Sequence, residues 1–442
     1  MELSEEQQEI FDYYREGGNI FMTGPGGCGK SFLIKYIHDH AMQLGKRIKV
    51  CAMTGCAAIL LECKAKTLHS WAGIGLAKGE HHKIITRISM NKYKSKLWKT
   101  TDILIVDEIS MLSKSLFDLL DQLGKRIRKN AKPFGGIQLI FSGDFYQLPP
   151  VGNINDPDSG AFCFESTLWN ETFDYQIPME TIFRQKDDAY VSILNQIREG
   201  KLLPDGYRAL KQRVGITCPS IIIKPIKLYP RRKHVDIINN GEIAKLNGES
   251  NTFVYNMAYE PSTTITSQHN YKKPSKKQLE TDEKYIINNS SFEKEISLTV
   301  GCQVMCIANL DANIGIVNGS TGIVRQFING FPEVQFKNGV TIPITPHSWK
   351  SETIPGFELK QIPLILAYAI TIHKSQGATL DCAEIDIGGG IFASGQTYVA
   401  ISRVKTIDNL YLTAFNPQKI RSSKKVQEFY SQFYEEICDD EP

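Results

Sequence analysis

A phosphate-binding loop is the feature of this sequence that most restricts its fold. Residues 24–31 match the pattern G-x-x-x-x-G-K-[ST] at every fixed position, between an apolar run at 19–23 and a run with helical apolar spacing at 32–37. The glycines therefore fall at a strand-to-helix turn, where backbone N–H groups and the positive helix N-terminus hold phosphate oxygens. The residues predicted to bind a nucleoside triphosphate are Gly24, Pro25, Gly26, Gly27, Cys28, Gly29, Lys30 and Ser31.

An acidic pair follows a second predicted strand and completes this site. Residues 103–106 are consecutive apolar residues, which suits a strand buried on both faces of a parallel sheet, with Asp107 and Glu108 at its carboxyl end. Lys30 is expected to reach the β- and γ-phosphates, while Ser31 and Asp107 hold Mg²⁺. Glu108 is then the natural general base for an attacking water, which favours hydrolysis over phosphoryl transfer to a small molecule.

A third predicted strand leads to a catalytic glutamine. Residues 137–141, which are apolar except for Gln138, predict another buried strand, and it ends in a polar turn containing Gln147. The Gln147 amide can hydrogen-bond the γ-phosphate or the attacking water, and we predict that it takes part in catalysis. The alternative is a structural turn held by Pro149 and Pro150.

The composition is typical of a globular protein with several compact units. The chain has 442 residues, of which 42% are hydrophobic and 22% charged, and its apolar runs are too short to span a membrane. This length predicts about two to four compact units. The acidic start lacks an apolar signal core, so we expect a soluble, intracellular protein with no membrane partner.

Two basic runs suit a nucleic-acid backbone. Residues 83–99 carry six lysines and arginines with no acidic residue, and residues 224–233 form a second basic run. Local positive surfaces of this kind attract phosphates. A solvated basic face is the alternative when either run is judged alone.

Eight ordered segments resemble the motifs of superfamily 1B DNA helicases of the petite integration frequency (PIF) type, which are related to RecD and phage Dda helicases. The resemblance covers almost the whole chain, and a RecD-type helicase is the alternative within this group. The matching segments are 3–8 for the Q motif, 54–58 for motif Ia, 67–75 for motif Ib, 107–111 for motif II, 143–150 for motif III, 183–185 with 194–200 for motif IV, 369–381 for motif V and 396–404 for motif VI.

The resemblance adds residues to the nucleotide site. It implies that Gln7 of the Q motif reads the adenine edge. Arg184 and Arg403 lie in the part of the chain that has no phosphate loop of its own. Arginines in these motifs can neutralise the charge that develops on the γ-phosphate, although a surface salt bridge is the default interpretation of each one alone. The expected cofactors are ATP and Mg²⁺.

The resemblance also indicates where single-stranded DNA binds. Hydroxyl and imidazole donors at predicted loop ends suit phosphates better than base edges, so binding should depend little on base sequence. Trp71 is predicted either to stack on a base or to lie in the core. The predicted DNA-binding residues are Thr54, Thr67, His69, Trp71, Thr371, His373 and Ser375.

The implied fold is α/β, with two RecA-like parallel-sheet lobes and two insertions. Lobe 1 is expected at 1–171, with a small wedge or pin insertion at about 73–99. Lobe 2 is expected at 172–299 and 361–442. Between its two parts, 300–360 is rich in short alternating strands with turn signals, which indicates a small β-barrel, and the resemblance implies an SH3-like module there.

The implied activity is that of an ATP-dependent DNA helicase that moves 5′ to 3′ on single-stranded DNA and unwinds duplexes in replication, repair or recombination. Its expected partners are single-stranded DNA and forked or tailed duplex DNA, and its core is expected to be monomeric. Two alternatives use the same motifs. One is a DNA-stimulated ATPase switch that separates no strands, and the other is an RNA translocase.

We predict that Lys30→Ala abolishes ATP hydrolysis while single-stranded DNA binding stays close to that of the unmodified chain. Lys30 is expected to contact phosphates, whereas the DNA contacts come from other motifs. ATPase assays and fluorescence anisotropy with a labelled oligonucleotide measure the two properties separately. Normal turnover in the variant would contradict the site assignment.

Overall fold

The computed structural model describes residues 3–61, 63–75, 77, 79–153, 156–218, 224–261, 273–289, 292–311, 313–351 and 354–438. The protein has a mixed α/β fold with parallel sheets, which confirms the predicted fold class. It divides into two compact units, Met1–Ile216 with Ser375–Pro442, and Thr217–Lys374. The predicted lobe boundaries at 171 and 361 stay predictions. In the described part of the chain, every helix is too short or too polar to span a bilayer.

A six-stranded parallel sheet forms the centre of the first unit. Its order along the sheet is β3-β2-β4-β5-β1-β6. Thr23 pairs with Gly143, and Ala52 pairs with Asp107, so the carboxyl ends of these strands meet at one edge. The strands are β1 (Ile20–Thr23), β2 (Ile48–Ala52), β3 (Lys66–Thr67), β4 (Ile103–Asp107), β5 (Gln138–Gly143) and β6 (Tyr175–Pro178).

Ten helices accompany these strands in the described part of residues 3–216. They are α1 (Glu5–Glu16), α2 (Lys30–Gln43), α3 (Gly55–Leu60), α4 (Leu68–Ala72), α5 (His81–Met90), α6 (Lys92–Thr100), α7 (Lys114–Arg128), α8 (Trp169–Thr172), α9 (Asp188–Glu199) and α10 (Pro204–Gln212). Successive side chains of a strand point to opposite faces of the sheet, and a hydrophobic cluster covers each face. Ile20 and Met22 pack into one hydrophobic cluster, and Phe21 packs into the other.

The predicted wedge insertion at 73–99 contains the helices α5 and α6, while Leu76 and Lys78 lie outside the described residues. Ile84, Ile88 and Trp98 are buried in the same cluster as the apolar side of α7. The basic Lys94 Nζ donates a hydrogen bond to the Gly73 carbonyl at 2.9 Å. This lysine of α6 therefore ties the insertion to Gly73, the residue at which the insertion begins.

Short antiparallel strands dominate the second unit. A parallel pair, β7 (Ile226–Tyr229) and β18 (Ala369–Thr371), accompanies α11 (Arg232–Ile243). The buried Asn239 of α11 bonds both the N–H and the carbonyl of Ala369, at 2.9 and 3.0 Å. The helix α12 (Lys276–Asn289) also lies in this unit, and the basic run at 271–277 begins outside the described residues.

Three antiparallel sheets make up the rest of this unit. The largest has the order β14-β13-β12-β11-β17, the second pairs β8 with β10, and the third has the order β15-β16-β9. The strands are β8 (Ser250–Val254), β9 (Asn256–Tyr259), β10 (Glu295–Thr299), β11 (Gln303–Cys306), β12 (Thr321–Ile328), β13 (Phe331–Phe336), β14 (Thr341–Pro343), β15 (His347–Lys350), β16 (Phe357–Gln361) and β17 (Leu364–Leu366). The alternating strands predicted between 300 and 360 are confirmed.

The C-terminal part of the chain returns to the first unit. It contains the parallel strands β19 (Ala383–Ile387) and β20 (Leu410–Phe415), and the helices α13 (Gln396–Ile401) and α14 (Lys424–Cys438). Phe429 and Tyr430 of α14 are buried among the aromatic residues of the cluster that includes Phe21 and Trp169. This helix is therefore part of the core around the six-stranded sheet.

A buried ion pair joins α9 to the turn after β5. Arg198 Nε and Nη2 each lie 3.0 Å from an oxygen of the fully buried Asp144 carboxylate. The Arg198 guanidinium also lies over the Tyr146 ring, with Cζ 4.6 Å from the ring centroid. The cation and the carboxylate compensate each other at a site where the carboxylate is fully buried and the arginine side chain is mostly buried.

We predict that Arg198→Met lowers the free energy of unfolding by about 3–5 kcal/mol, because the substitution leaves the Asp144 carboxylate buried without its cation. Urea unfolding followed by circular dichroism measures this loss. Arg208→Met is the matched control, since Arg208 pairs with Asp205 on the exposed surface of α10 and such pairs contribute little. Equal losses in the two variants would contradict the special role of the buried pair.

Candidate nucleotide site

A cavity of about 310 Å³ lies at the carboxyl edge of the six-stranded sheet in the first unit. The loop after β1, the end of β4 and the turn after β5 all contribute to it. Most of the residues predicted to bind or hydrolyse ATP are thus brought together. The lining residues are Gly26, Gly27, Gly29, Lys30, Ser31, Phe32, Asp107, Glu108, Gln147, Phe183, Arg184, Gly377 and Arg403.

The phosphate loop needs its glycines for two physical reasons. Gly27 and Gly29 have φ angles of +101° and +88°, in the left-handed region that other residues rarely adopt. A Cβ atom at Gly27 would also lie 2.5 Å from the Cβ atom of Arg184. Lys30 Nζ donates hydrogen bonds to the carbonyls of Gly24 and Pro25, at 2.7 and 2.9 Å. The Lys30 ammonium group is therefore held by the backbone of the phosphate loop.

The two predicted carboxylates occupy different surroundings at the end of β4. Asp107 accepts hydrogen bonds from the Ser142 hydroxyl at 2.7 Å and from the Glu108 N–H at 2.9 Å. Glu108 has a φ of +56°, a strained backbone conformation that points its side chain into the cavity lining. Burial raises the pKa of both carboxyl groups, and the neighbouring Asp107 charge raises the pKa of Glu108 further.

Gln376 is a site residue that the sequence interpretation missed. Its Nε2 donates a hydrogen bond to Glu108 Oε2 at 3.2 Å and lies 3.5 Å from Gln147 Oε1. Gln376 thereby connects the predicted general base with the predicted water-positioning glutamine. The signal was present in the sequence, because Gln376 lies inside the motif V segment next to the predicted residue Ser375.

The two predicted arginines converge above the phosphate loop. A Cβ atom at Gly26 would lie 3.6 Å from Arg403 Nη2 and 3.7 Å from Arg184 Nη1. Burial and the neighbouring Arg184 charge lower the pKa of Arg403 to about 10. Within the described ranges, neither guanidinium forms an ion pair with a carboxylate, so the surface salt bridge considered for each is not what the structure contains. Two adjacent cations in this arrangement favour an anion between them.

Tyr398 also contacts the loop, and the sequence interpretation assigned it no role. Its buried hydroxyl accepts a hydrogen bond from the Gly26 N–H at 2.9 Å. This contact joins α13 to the phosphate loop beside the two arginines.

Aromatic rings and an amide mark one end of the cavity. Phe183 is 52% exposed and Phe32 is 36% exposed, and both line the cavity beside Gly29. The Gln7 Oε1 accepts a hydrogen bond from the Ser4 N–H at 3.1 Å, and Nε2 would lie 2.5 Å from a Cβ atom at Gly29. Flat exposed rings next to an amide suit a purine base. Phe183 belongs to the segment that resembles motif IV, but the sequence predicted no role for it.

The predicted DNA residues of the first unit do not all reach the surface. Thr54 and Thr67 cap α3 and α4, each accepting a backbone hydrogen bond at 3.2 and 3.3 Å. Burial lowers the pKa of His69. Trp71 is only 2% exposed and its ring centroid lies 4.4 Å from that of Trp98, so the prediction of base stacking is wrong and the core alternative is correct.

The prediction that Ser375 contacts DNA is also contradicted by burial. Two further predicted DNA-binding residues, Thr371 and His373, lie in the second unit. Ser375 is fully buried, which contradicts a direct contact with DNA. In the second unit, Thr371 Oγ1 accepts a hydrogen bond from the Lys374 N–H at 3.3 Å. Burial lowers the pKa of the partly buried His373 and thereby favours the neutral form of its imidazole.

The chain is similar in sequence to a family of known helicases. The family model of PIF1-like helicases matches residues 2–204, and that of the DNA helicase Pif1 2B domain matches residues 286–327. A curated relative, the ATP-dependent DNA helicase PIF1 of Emericella nidulans, is 34% identical in an alignment that covers 94% of this chain and 61% of the relative. The chain spans less than two thirds of the length of the first curated relatives it matches.

Two solved structures extend the similarity to the whole fold. The crystal structure of Pif1 helicase from Candida albicans has a TM-score of 0.81 and 33% identity, covering 98% of this chain and 100% of that one. The Pif1 helicase from Bacteroides in complex with ADP-AlF3 and ssDNA has a TM-score of 0.71 and 27% identity, covering 99% of this chain and 98% of that one.

We predict that kcat/KM for ATP falls as the pH is lowered, with a midpoint above the ordinary glutamate range. Glu108 must be ionised to accept a proton, and its pKa is raised. Gln376→Leu removes a hydrogen bond that favours the ionised carboxylate, so the midpoint should move to higher pH. Initial-rate measurements across the acid limb test this shift.

The exposed Gln326 of β12 offers a control for that experiment. Gln326→Leu should leave the midpoint unchanged. An unchanged midpoint in Gln376→Leu would show that the acid limb does not come from Glu108.

Proposed function

Because the chain belongs to the family of PIF1-like helicases, we propose that it is an ATP-dependent DNA helicase that moves 5′ to 3′ on single-stranded DNA and unwinds duplexes. The observation that carries this proposal is the convergence of Lys30, Glu108, Arg184 and Arg403 on one cavity. Cationic and anionic side chains around one cavity support the binding of a triphosphate and the activation of an attacking water. The proposed setting is DNA replication, repair or recombination.

The proposed chemistry assigns one role to each group around the cavity. Lys30, Arg184 and Arg403 bind the β- and γ-phosphates and stabilise the negative charge of the transition state. Glu108 accepts the proton of the attacking water, while Gln147 and Gln376 orient the water and the carboxylate. Breaking the bond between the β- and γ-phosphates then releases ADP and inorganic phosphate.

The proposed metal site consists of Ser31 and Asp107. A hydroxyl and a carboxylate are oxygen donors, the ligand type that Mg²⁺ prefers, and Mg²⁺ commonly uses one or two protein ligands together with substrate phosphates. Asp107 uses Oδ1 for its two hydrogen bonds, which suits Oδ2 for a metal or a metal-bound water. The bound ion would neutralise phosphate charge during the reaction.

For the adenine end, we propose that Phe183 stacks on the base and Gln7 reads its edge. The exposed ring of Phe183 beside Gly29 supports the first role. The position of the Gln7 amide next to Gly29 supports the second.

For DNA, we propose phosphate contacts through Thr54, Thr67 and His69 of the first unit, and through Thr371 and His373 of the second. Their donors suit a sequence-independent grip on the backbone. The proposed partners are single-stranded DNA and forked or tailed duplexes, with a monomeric core. The relative from Bacteroides in complex with ssDNA supports this choice of partner.

We also propose the domain roles that the motifs imply. RecA-like lobes span 1–171 and 172–299 with 361–442, α5 and α6 form the wedge, and 300–360 forms an SH3-like module. The match to the Pif1 2B domain at 286–327 and the antiparallel strands of this region support the last assignment.

Strand-displacement assays test the proposed activity directly. We expect unwinding of a duplex with a 5′ single-stranded tail and no unwinding of one with only a 3′ tail. Single-stranded DNA should strongly stimulate ATP hydrolysis, and Arg403→Ala should lose this stimulated turnover more than it loses nucleotide affinity. The last result follows because Arg403 acts mainly on the charge of the transition state.

Three other results would each contradict a part of the proposed function. Unwinding from a 3′ tail alone would contradict the polarity, and stimulated hydrolysis without strand separation would favour a DNA-dependent ATPase switch. Displacement that requires an RNA track would favour the RNA translocase. Lys30→Ala is the negative control in each assay.

A further inference from the structure

The Tyr430 hydroxyl of α14 bridges the end of β1 and the turn after β5. Its hydroxyl lies 2.5 Å from Thr23 Oγ1 and accepts a hydrogen bond from the Phe145 N–H at 3.1 Å. Thr23 is the last residue of β1 before the phosphate loop, and Phe145 lies in the turn that carries Gln147. Because a backbone N–H can only donate, the phenol proton of Tyr430 is available for Thr23.

The two side chains of this hydrogen bond, Thr23 and Tyr430, are buried, and Tyr146 and Arg198 restrict the position of the Tyr430 ring. Thr23 is fully buried, and Tyr430 is 6% exposed. The Tyr430 ring stacks on Tyr146, with centroids 4.8 Å apart and planes 10° from parallel. The Arg198 guanidinium lies 5.4 Å from the centroid of the Tyr430 ring.

The turn held by this bridge is the one that presents Gln147. The Asp144 carboxylate accepts a hydrogen bond from the Tyr146 N–H at 3.1 Å, and the Asp144 carbonyl accepts one from the Gln147 N–H at 2.9 Å. Asp144 is itself held by Arg198. A shift of the Tyr430 contact therefore moves the turn as a whole rather than one side chain.

We propose that Tyr430 is a positioning residue for ATP hydrolysis, which rests on the function proposed above. Its hydroxyl sets the distance between the phosphate loop and the Gln147 turn, while Tyr430 does not itself line the cavity. A misplacement of about 1 Å in an active site can cost on the order of a hundredfold in rate, so a single buried hydroxyl at this junction can control turnover. The C-terminal helix thereby takes part in the reaction geometry.

A purely structural role is the competing explanation, since Tyr430 also packs in a large aromatic cluster. Tyr430→Phe separates the two, because it keeps the stacked ring and removes only the hydroxyl. We expect kcat for DNA-stimulated ATP hydrolysis by the full chain to fall about tenfold, with KM for ATP changed less than about twofold. The split arises because the loop still binds phosphates but Gln147 is misplaced.

Thr23→Val provides the partner measurement for this bridge. It should lower kcat by no more than Tyr430→Phe does, and the double variant Thr23→Val with Tyr430→Phe should lose little more than Tyr430→Phe alone, because that substitution already removes the hydrogen bond to Thr23. Fully additive losses would overturn the proposal.

Phe429→Leu is the matched control on the same helix. Phe429 packs in the same cluster and makes only apolar contacts through its side chain, so its truncation should lower the melting temperature while kcat well below melting stays unchanged. A lowered melting temperature with unchanged kcat in Tyr430→Phe would overturn the positioning role. A control that loses kcat as much as Tyr430→Phe would also overturn it. If the unmodified chain hydrolyses no ATP, the proposed function itself fails.

Discussion

The parallel pairing of β1, β4 and β5 is the constraint on which the nucleotide site depends. Parallel neighbours end at the same edge of a sheet, so the segments that follow them are delivered to one place. The phosphate loop follows β1, the acidic pair ends β4, and the Gln147 turn follows β5. With another strand order these segments would be separated, whatever their individual sequences.

Burying charged side chains at this edge of the sheet costs free energy, and the shifted pKa values of these groups reflect that cost. Burial raises the pKa of Asp107 and Glu108, and it lowers that of Arg403. Each shift means that the charged form is less stable here than in water. The attraction between these carboxylates and the nearby cations offsets only part of the cost of burial. The Arg198–Asp144 pair differs, because its charges already compensate each other.

The helix α14 shows how a distant segment controls this geometry. Phe429 and Tyr430 of this helix pack in the cluster that contains Phe21 of β1 and Phe145 of the turn after β5, and the Tyr430 hydroxyl bonds to both segments. The polar contacts of Tyr430 and Arg198 give this apolar cluster a fixed orientation, since hydrogen bonds are directional while hydrophobic contacts are not. The cluster thus stabilises the sheet, while the Tyr430 hydroxyl sets the position of the Gln147 turn.

Local spacing in the sequence was enough to predict the phosphate loop, the acidic pair at Asp107 and Glu108, the α/β class, and the short strands between 300 and 360. These features depend on backbone conformation and on neighbours a few residues away. The sequence could not decide between a core and a DNA-facing Trp71, because its pattern is the same in both cases and the contact with Trp98 determines which occurs. The contact of Gln376 with Glu108 and that of Tyr430 with Thr23 exist only in the tertiary structure, and Thr23 and Tyr430 are 407 residues apart in the chain. No local pattern encodes such a pairing, because folding alone brings the two hydroxyl groups together.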